Sequence, residues 1–153
     1  MKNNKKFILP YFIILLFFNI AYGAEKIDYS SNSIKIFENG KIISGEGDVR
    51  IVIDDSIIIT SEQFNYNKET GLYKLLNNVQ FKDDINNIKA IGSEFIFSTF
   101  ENKILSKTKS KIFYKKTYDI DLNNFKYDIY NKKISSDDFV KIKDNINNYF
   151  ELY

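Results

Sequence analysis

No cysteine, histidine or tryptophan occurs in the 153 residues of this chain, and it has one proline and one arginine. Without histidine or cysteine there is no Ser-His-Asp triad, no thiol nucleophile and no ordinary zinc site. Without cysteine there is no disulfide, so an exported form must fold on its core alone. Glycine is also scarce, and none of it forms a phosphate-cradling loop leading into a helix. With Arg50 as the sole arginine, bidentate reading of guanine or phosphate is poorly supplied. Helical periodicity is missing too. No window sustains apolar residues at i, i+3, i+4 and i+7 over ten or more positions without a competing Asn or Asp turn.

The N-terminus stands apart from the rest. Lys2, Lys5 and Lys6 precede an apolar run from Phe7 to Phe18, and Ala21-Tyr22-Gly23 before Ala24 places small residues where a signal peptidase cuts. The stretch from Phe7 to Tyr22 falls short of the ~20 residues that span a bilayer core. Residues 1–23 therefore read as a cleaved signal peptide, with an inner-membrane anchor over residues 7–22 as the alternative. Removing them turns the net charge of +2 into about −1, because three lysines and no acids leave. No positive field remains to steer nucleic acid.

Residues 24–153 read as one domain, and its period is two. Val49, Ile51 and Ile53 alternate with Arg50, Val52 and Asp54; a turn at Asp54-Asp55-Ser56 follows, then Ile57 to Ile59, Phe64 and Tyr66. Asn39-Gly40 signals a hairpin, Gly45 and Gly47 a bulge or bend before Val49, and Asn77-Asn78 a break after Leu76. Turn signals every 8 to 12 residues make the chain all-β, with about a dozen short antiparallel strands.

A repeat underlies the strands. Ile34-x-Ile36, Phe64-x-Tyr66, Phe95-x-Phe97 and Phe125-x-Tyr127 lie 30, 31 and 30 residues apart. A second series, Val49-x-Ile51, Val79-x-Phe81, Ile112-x-Tyr114 and Val140-x-Ile142, is spaced by 30, 33 and 28. A period near 30 implies stacked units sharing one core.

Paired carboxylates occur at Asp54-Asp55, Asp83-Asp84 and Asp137-Asp138. Two could serve a glycosidase and several could bind calcium, but all three pairs fall where turns are expected, which accounts for them as solvated turn residues. No catalytic residue, metal or cofactor is implied. The lysines between Lys103 and Lys116 read as a solvated strand face that could also touch lipid phosphates.

The unit Gly47-Asp48-Val49-Arg50-Ile51, then Ile57 to Ser61 with Glu62, Phe64 and Tyr66, then Leu75 and Val79-Gln80-Phe81, resembles the OstA-like domain of the lipopolysaccharide-transport proteins. The resemblance covers about Ile27 to Leu152 as a pattern of residue classes. The glycine often found before each x-V-x-I in that family is replaced by Asn77 before Asn78-Val79, and by Lys109 or Ser110 before Ile112. It implies an elongated, twisted, partly open β-jelly-roll and a non-enzymatic periplasmic carrier of lipopolysaccharide. It further implies lipid A acyl chains held in an apolar trough by Ile51, Phe64, Tyr66, Phe81, Phe95, Phe97, Tyr114, Phe125 and Tyr127. An acyl chain gains ~0.8 kcal/mol per buried CH₂, so even partial burial would suffice for binding. Other OstA-like domains would pair with edge strands near Ile34–Phe37 and Tyr149–Tyr153.

Alternation alone fits a filled sandwich core equally well, so a β-repeat scaffold with only protein partners stays open. A free bridge protein, an anchored member and a detached entry domain of the outer-membrane protein all fit the resemblance. Asp144 to Tyr153, after the last repeat, are too few for a membrane barrel, which needs roughly 80 or more strand residues even with eight strands.

Overall fold

Strands with one apolar face must close that face against another, and here the chain does so by folding a single sheet over on itself. The structure, a computed structural model, describes residues 26–152; the expected signal peptide lies outside the described residues. Thirteen strands follow in order: β1 (Ile27–Ser30), β2 (Ser33–Phe37), β3 (Ile42–Ile53), β4 (Ile57–Asn67), β5 (Leu72–Asp83), β6 (Ile88–Ser98), β7 (Lys103–Ser106), β8 (Ser110–Tyr114), β9 (Tyr118–Leu122), β10 (Phe125–Asp128), β11 (Lys133–Ser136), β12 (Val140–Asp144) and β13 (Tyr149–Leu152). All pairings are antiparallel.

The four long strands β3 to β6 belong to two layers at once. Their pairing register shifts between Glu46 and Val49, between Thr60 and Gln63, and between Leu76 and Val79. Such bulges bend a strand and increase its twist. The residues at the bends suit the task. Gly47, Asp48, Asn77 and Asn78 all have positive φ, a conformation that glycine and short polar side chains accept most readily. Side chains lace neighbouring bends together: Asn32 Nδ2 donates to Asp48 Oδ2 at 2.9 Å, and Asn78 Nδ2 donates to Glu62. Asn77-Asn78 therefore bends β5 where the sequence suggests a break.

The first layer runs β1, β3, β4, β5, β6, β8, β9, β12, β13. The second contains β2, the other halves of the four long strands, and then β7, β10 and β11. The repeat in the sequence maps onto this division. Every member of the Ile34, Phe64, Phe95, Phe125 series lies on the second layer, and every member of the Val49, Val79, Val140 series on the first.

One member of the first-layer series is displaced. The pairing runs Ile51, Ile59, Phe81, Ala90, Ile112, Ile120, Ile142, so the equivalent of Val49-x-Ile51 is Ser110-x-Ile112 rather than Ile112-x-Tyr114. The spacing in both layers is then 30, 31 and 30. Ser110 hides this because it is a polar residue in an inward position. It is 2% exposed, and its hydroxyl donates to Ser106 Oγ at 3.0 Å.

Candidate functional site

Antiparallel partners carry their side chains on one face, so the register traces rows of inward residues across the whole sheet. On the first layer one row reads Tyr29, Ile51, Ile59, Phe81, Ala90, Ile112, Ile120, Ile142, Phe150. On the second, one reads Ile36, Ile43, Tyr66, Tyr73, Phe97, Ile104, Tyr127, Ile134. No charged residue interrupts either row.

The nine residues singled out from the sequence all project into the space between the layers. Ile51, Phe81, Phe95, Phe97 and Tyr127 are fully buried, Phe64 and Phe125 nearly so, and Tyr66 and Tyr114 half-buried. Rings meet across the interior: Phe81 and Tyr127 at 5.2 Å between centroids, Tyr29 and Phe64 at 5.5 Å. Others meet along the second layer, such as Tyr73 and Phe97 at 5.8 Å and Phe95 and Phe125 at 5.7 Å. Each fully buried large apolar side chain contributes ~1.5–3 kcal/mol relative to exposure. The middle of the interior is thus filled by its own side chains.

Glycine makes room for two of these rings. A Cβ on Gly45 would sit 2.2 Å from the Phe64 ring directly opposite, and one on Gly92 would sit 2.7 Å from Phe95.

The ends differ from the middle. Exposure along the first-layer row is 0% from Ile51 through Ile112, then rises through Ile120 and Ile142 to 49% at Phe150. At the other end, Tyr29 is 36% and Ile36 is 65% exposed. Beyond β6 the first layer continues for four strands and the second for three, so β13 has no strand facing it. The mouth this leaves is a cleft of about 700 Å³. Its floor is Tyr114, Ile120, Leu122, Val140, Ile142 and Leu152, and its opposite wall is the β10–β11 turn and β11. The sequence reading missed Ile120, Leu122, Ile134, Val140, Ile142 and Leu152 as lining residues. Their alternation was visible, but which end of the stack lacks a cover depends on how many strands each layer has.

One polar pair closes the two layers against each other. Asp83, at the end of β5, is 1% exposed and accepts a hydrogen bond of 2.7 Å from the Tyr127 hydroxyl. It also accepts from the Asn86 amide at 3.0 Å and from Asn86 Nδ2 at 2.8 Å. Burial pushes the Asp83 carboxyl up, but the hydrogen bonds from Tyr127 and Asn86 outweigh it and hold the group below the usual carboxylate range. Burial, then the bond to Asp83, pushes the Tyr127 phenol up. Asp83 is therefore no solvated turn residue. Its neighbour Asp84 is one, as are Asp54 and Asp55, while Asp137 and Asp138 are exposed between β11 and β12. The lysines from Lys103 to Lys116 are dispersed: Lys103 pairs with Glu101 at 2.9 Å and Lys111 with Asp119 at 3.2 Å, on different layers.

No family model and no curated protein matches the sequence. Among solved structures, the chain is similar to the crystal structure of LptH from Pseudomonas aeruginosa, described as the LptA homologous periplasmic component of the conserved lipopolysaccharide transport device. The TM-score is 0.64 at 10% sequence identity, over 84% of this chain and 95% of that one. At that identity the likeness speaks for the fold, and it establishes this chain as an all-β jelly-roll built like LptH: an unclosed, curled antiparallel sheet with its apolar face turned inward.

Proposed function

We propose that this chain is a non-enzymatic carrier or bridge module of the periplasm that passes lipopolysaccharide toward the outer membrane. The observation that carries this reading is the pair of inward rows that run the length of both layers and end uncovered. A sandwich that serves only to stabilise itself gains by capping such rows. Lipid A acyl chains would enter at the mouth, against Ile120, Leu122, Val140, Ile142 and Leu152. They would continue inward toward Tyr114, Tyr127, Phe125, Phe97, Phe95, Phe81, Tyr66, Phe64 and Ile51 only as the layers part. Open edges β1, β2, β11 and β13 suit pairing with further domains of the same kind. The leader at residues 1–23 would supply export, by cleavage or as an anchor.

A second reading, a scaffold with a dry core and only protein partners, draws on the full burial of Ile51, Phe81 and Phe97. The two separate in a displacement assay on the purified chain loaded with an apolar fluorophore. Lipopolysaccharide should displace the dye and its delipidated core oligosaccharide should not. Failure of the dye to bind, or equal displacement by both, would favour the scaffold.

A further inference from the structure

The outward face of the sheet follows a rule that it breaks once. Charged residues directly opposite one another across strands interact at Cβ separations of ~4.5–5.5 Å, favourably when opposite in sign and unfavourably when alike. Among the described residues such pairs are of opposite sign: Lys111 with Asp121, Lys141 with Asp121 and Glu151, Lys143 with Asp119, and Asp128 with Lys103 and Lys133. The exception is Lys82 on β5 facing Lys89 on β6.

The exception sits beside the chain's only arginine. Arg50, Thr60 and Gln80 lie side by side on adjacent strands β3, β4 and β5, and Lys82 follows Gln80 on the same face. Together with Ile58 and Lys89 they line a shallow concavity of about 280 Å³ on the outside of the first layer. Lys82 has one counter-charge, Asp84 at 2.8 Å. Among the described residues, Arg50 and Lys89 have no ion-pair partner, and both are exposed.

We infer that this concavity binds a phosphate group, independently of whether the interior carries lipid. Three cations and two neutral hydrogen-bonding side chains converge there. Arg50 offers the planar fork that matches phosphate oxygens, the lysines offer charge, and Thr60 and Gln80 offer uncharged donors. A bound dianion also removes the repulsion that the Lys82–Lys89 juxtaposition otherwise leaves.

The test uses the purified chain, with thermal unfolding followed against inorganic pyrophosphate at ionic strength held constant with sodium chloride. Pyrophosphate should raise Tm saturably beyond the chloride control. Arg50→Gln and Lys89→Glu should each weaken that response at least tenfold, and Lys74→Gln on the other layer should leave it intact. In chloride alone Lys89→Glu should raise Tm, because it sets an acid opposite Lys82. Flotation with phosphatidylcholine vesicles containing phosphatidic acid identifies the source. Binding that Lys89→Glu abolishes assigns the site to lipid headgroups, and pyrophosphate binding without flotation assigns it to soluble phosphates. The inference is overturned if the wild type responds to neither probe, if Lys89→Glu responds as the wild type does, or if that variant's Tm in chloride does not rise.

Discussion

Replacing Tyr127 by phenylalanine removes one oxygen and leaves the ring packed on Phe81. What is lost is the hydrogen bond to Asp83, between a phenol that is 0% exposed and a carboxylate that is 1% exposed. A hydrogen bond to a charged group contributes ~1.5–3 kcal/mol. Asn86 still donates twice to the carboxylate, so Asp83 is not orphaned and a cost near the middle of that range, about 2 kcal/mol, is expected. For a domain of this size that lowers Tm by roughly 8 °C. The pH dependence gives a sharper signature. Asp83 titrates below its unfolded value, so its contribution is complete above the ordinary carboxylate range near pH ~4. It is lost as pH falls from there through the lower folded value. The penalty of Tyr127→Phe should therefore shrink in acid toward the ~1 kcal/mol of a neutral hydrogen bond. Urea unfolding of both proteins at neutral and acidic pH measures it. A variant as stable as the wild type at pH 7, or a penalty constant with pH, would refute the closure of the layers by this pair.

Gly45→Ala should destabilise by ~1–3 kcal/mol, because the new methyl meets the Phe64 ring at 2.2 Å, and Phe64→Leu in the same chain should recover part of the loss in urea melts. Phe81→Ala, in the closed middle of the first-layer row, should cost ~3–5 kcal/mol. Phe150→Ser, at the 49% exposed end of that row, should cost well under ~1 kcal/mol by the same assay yet weaken lipopolysaccharide binding in dye displacement.

The sequence carried the layers before it carried their phase. Phe64, Phe95 and Phe125 are large, apolar and evenly spaced, so the second-layer row was visible as it stands. The first-layer row slipped by two residues at Ile112, because Ser110 satisfies its hydroxyl within a local serine-threonine cluster and so occupies an inward position without being apolar. Asn77-Asn78 misled in a related way. Two residues with positive φ end a strand in most settings, but inside a sheet bent along one line they continue it. The bond from Asp83 across the layers could not be read from its neighbours, since Asn86 lies three residues on but Tyr127 lies 44 residues away on the other layer. The uncovered mouth depends on the unequal strand numbers of the two layers, which only the pairing reveals.

The carrier reading is tested most directly by a photo-crosslinking residue at Ile142, in the floor of the mouth, in cells that make lipopolysaccharide. A lipopolysaccharide adduct is expected at Ile142 and none at Lys141, which points outward on the same strand. A well-expressed protein that yields no lipid adduct at Ile142, or yields it equally at Lys141, would contradict it.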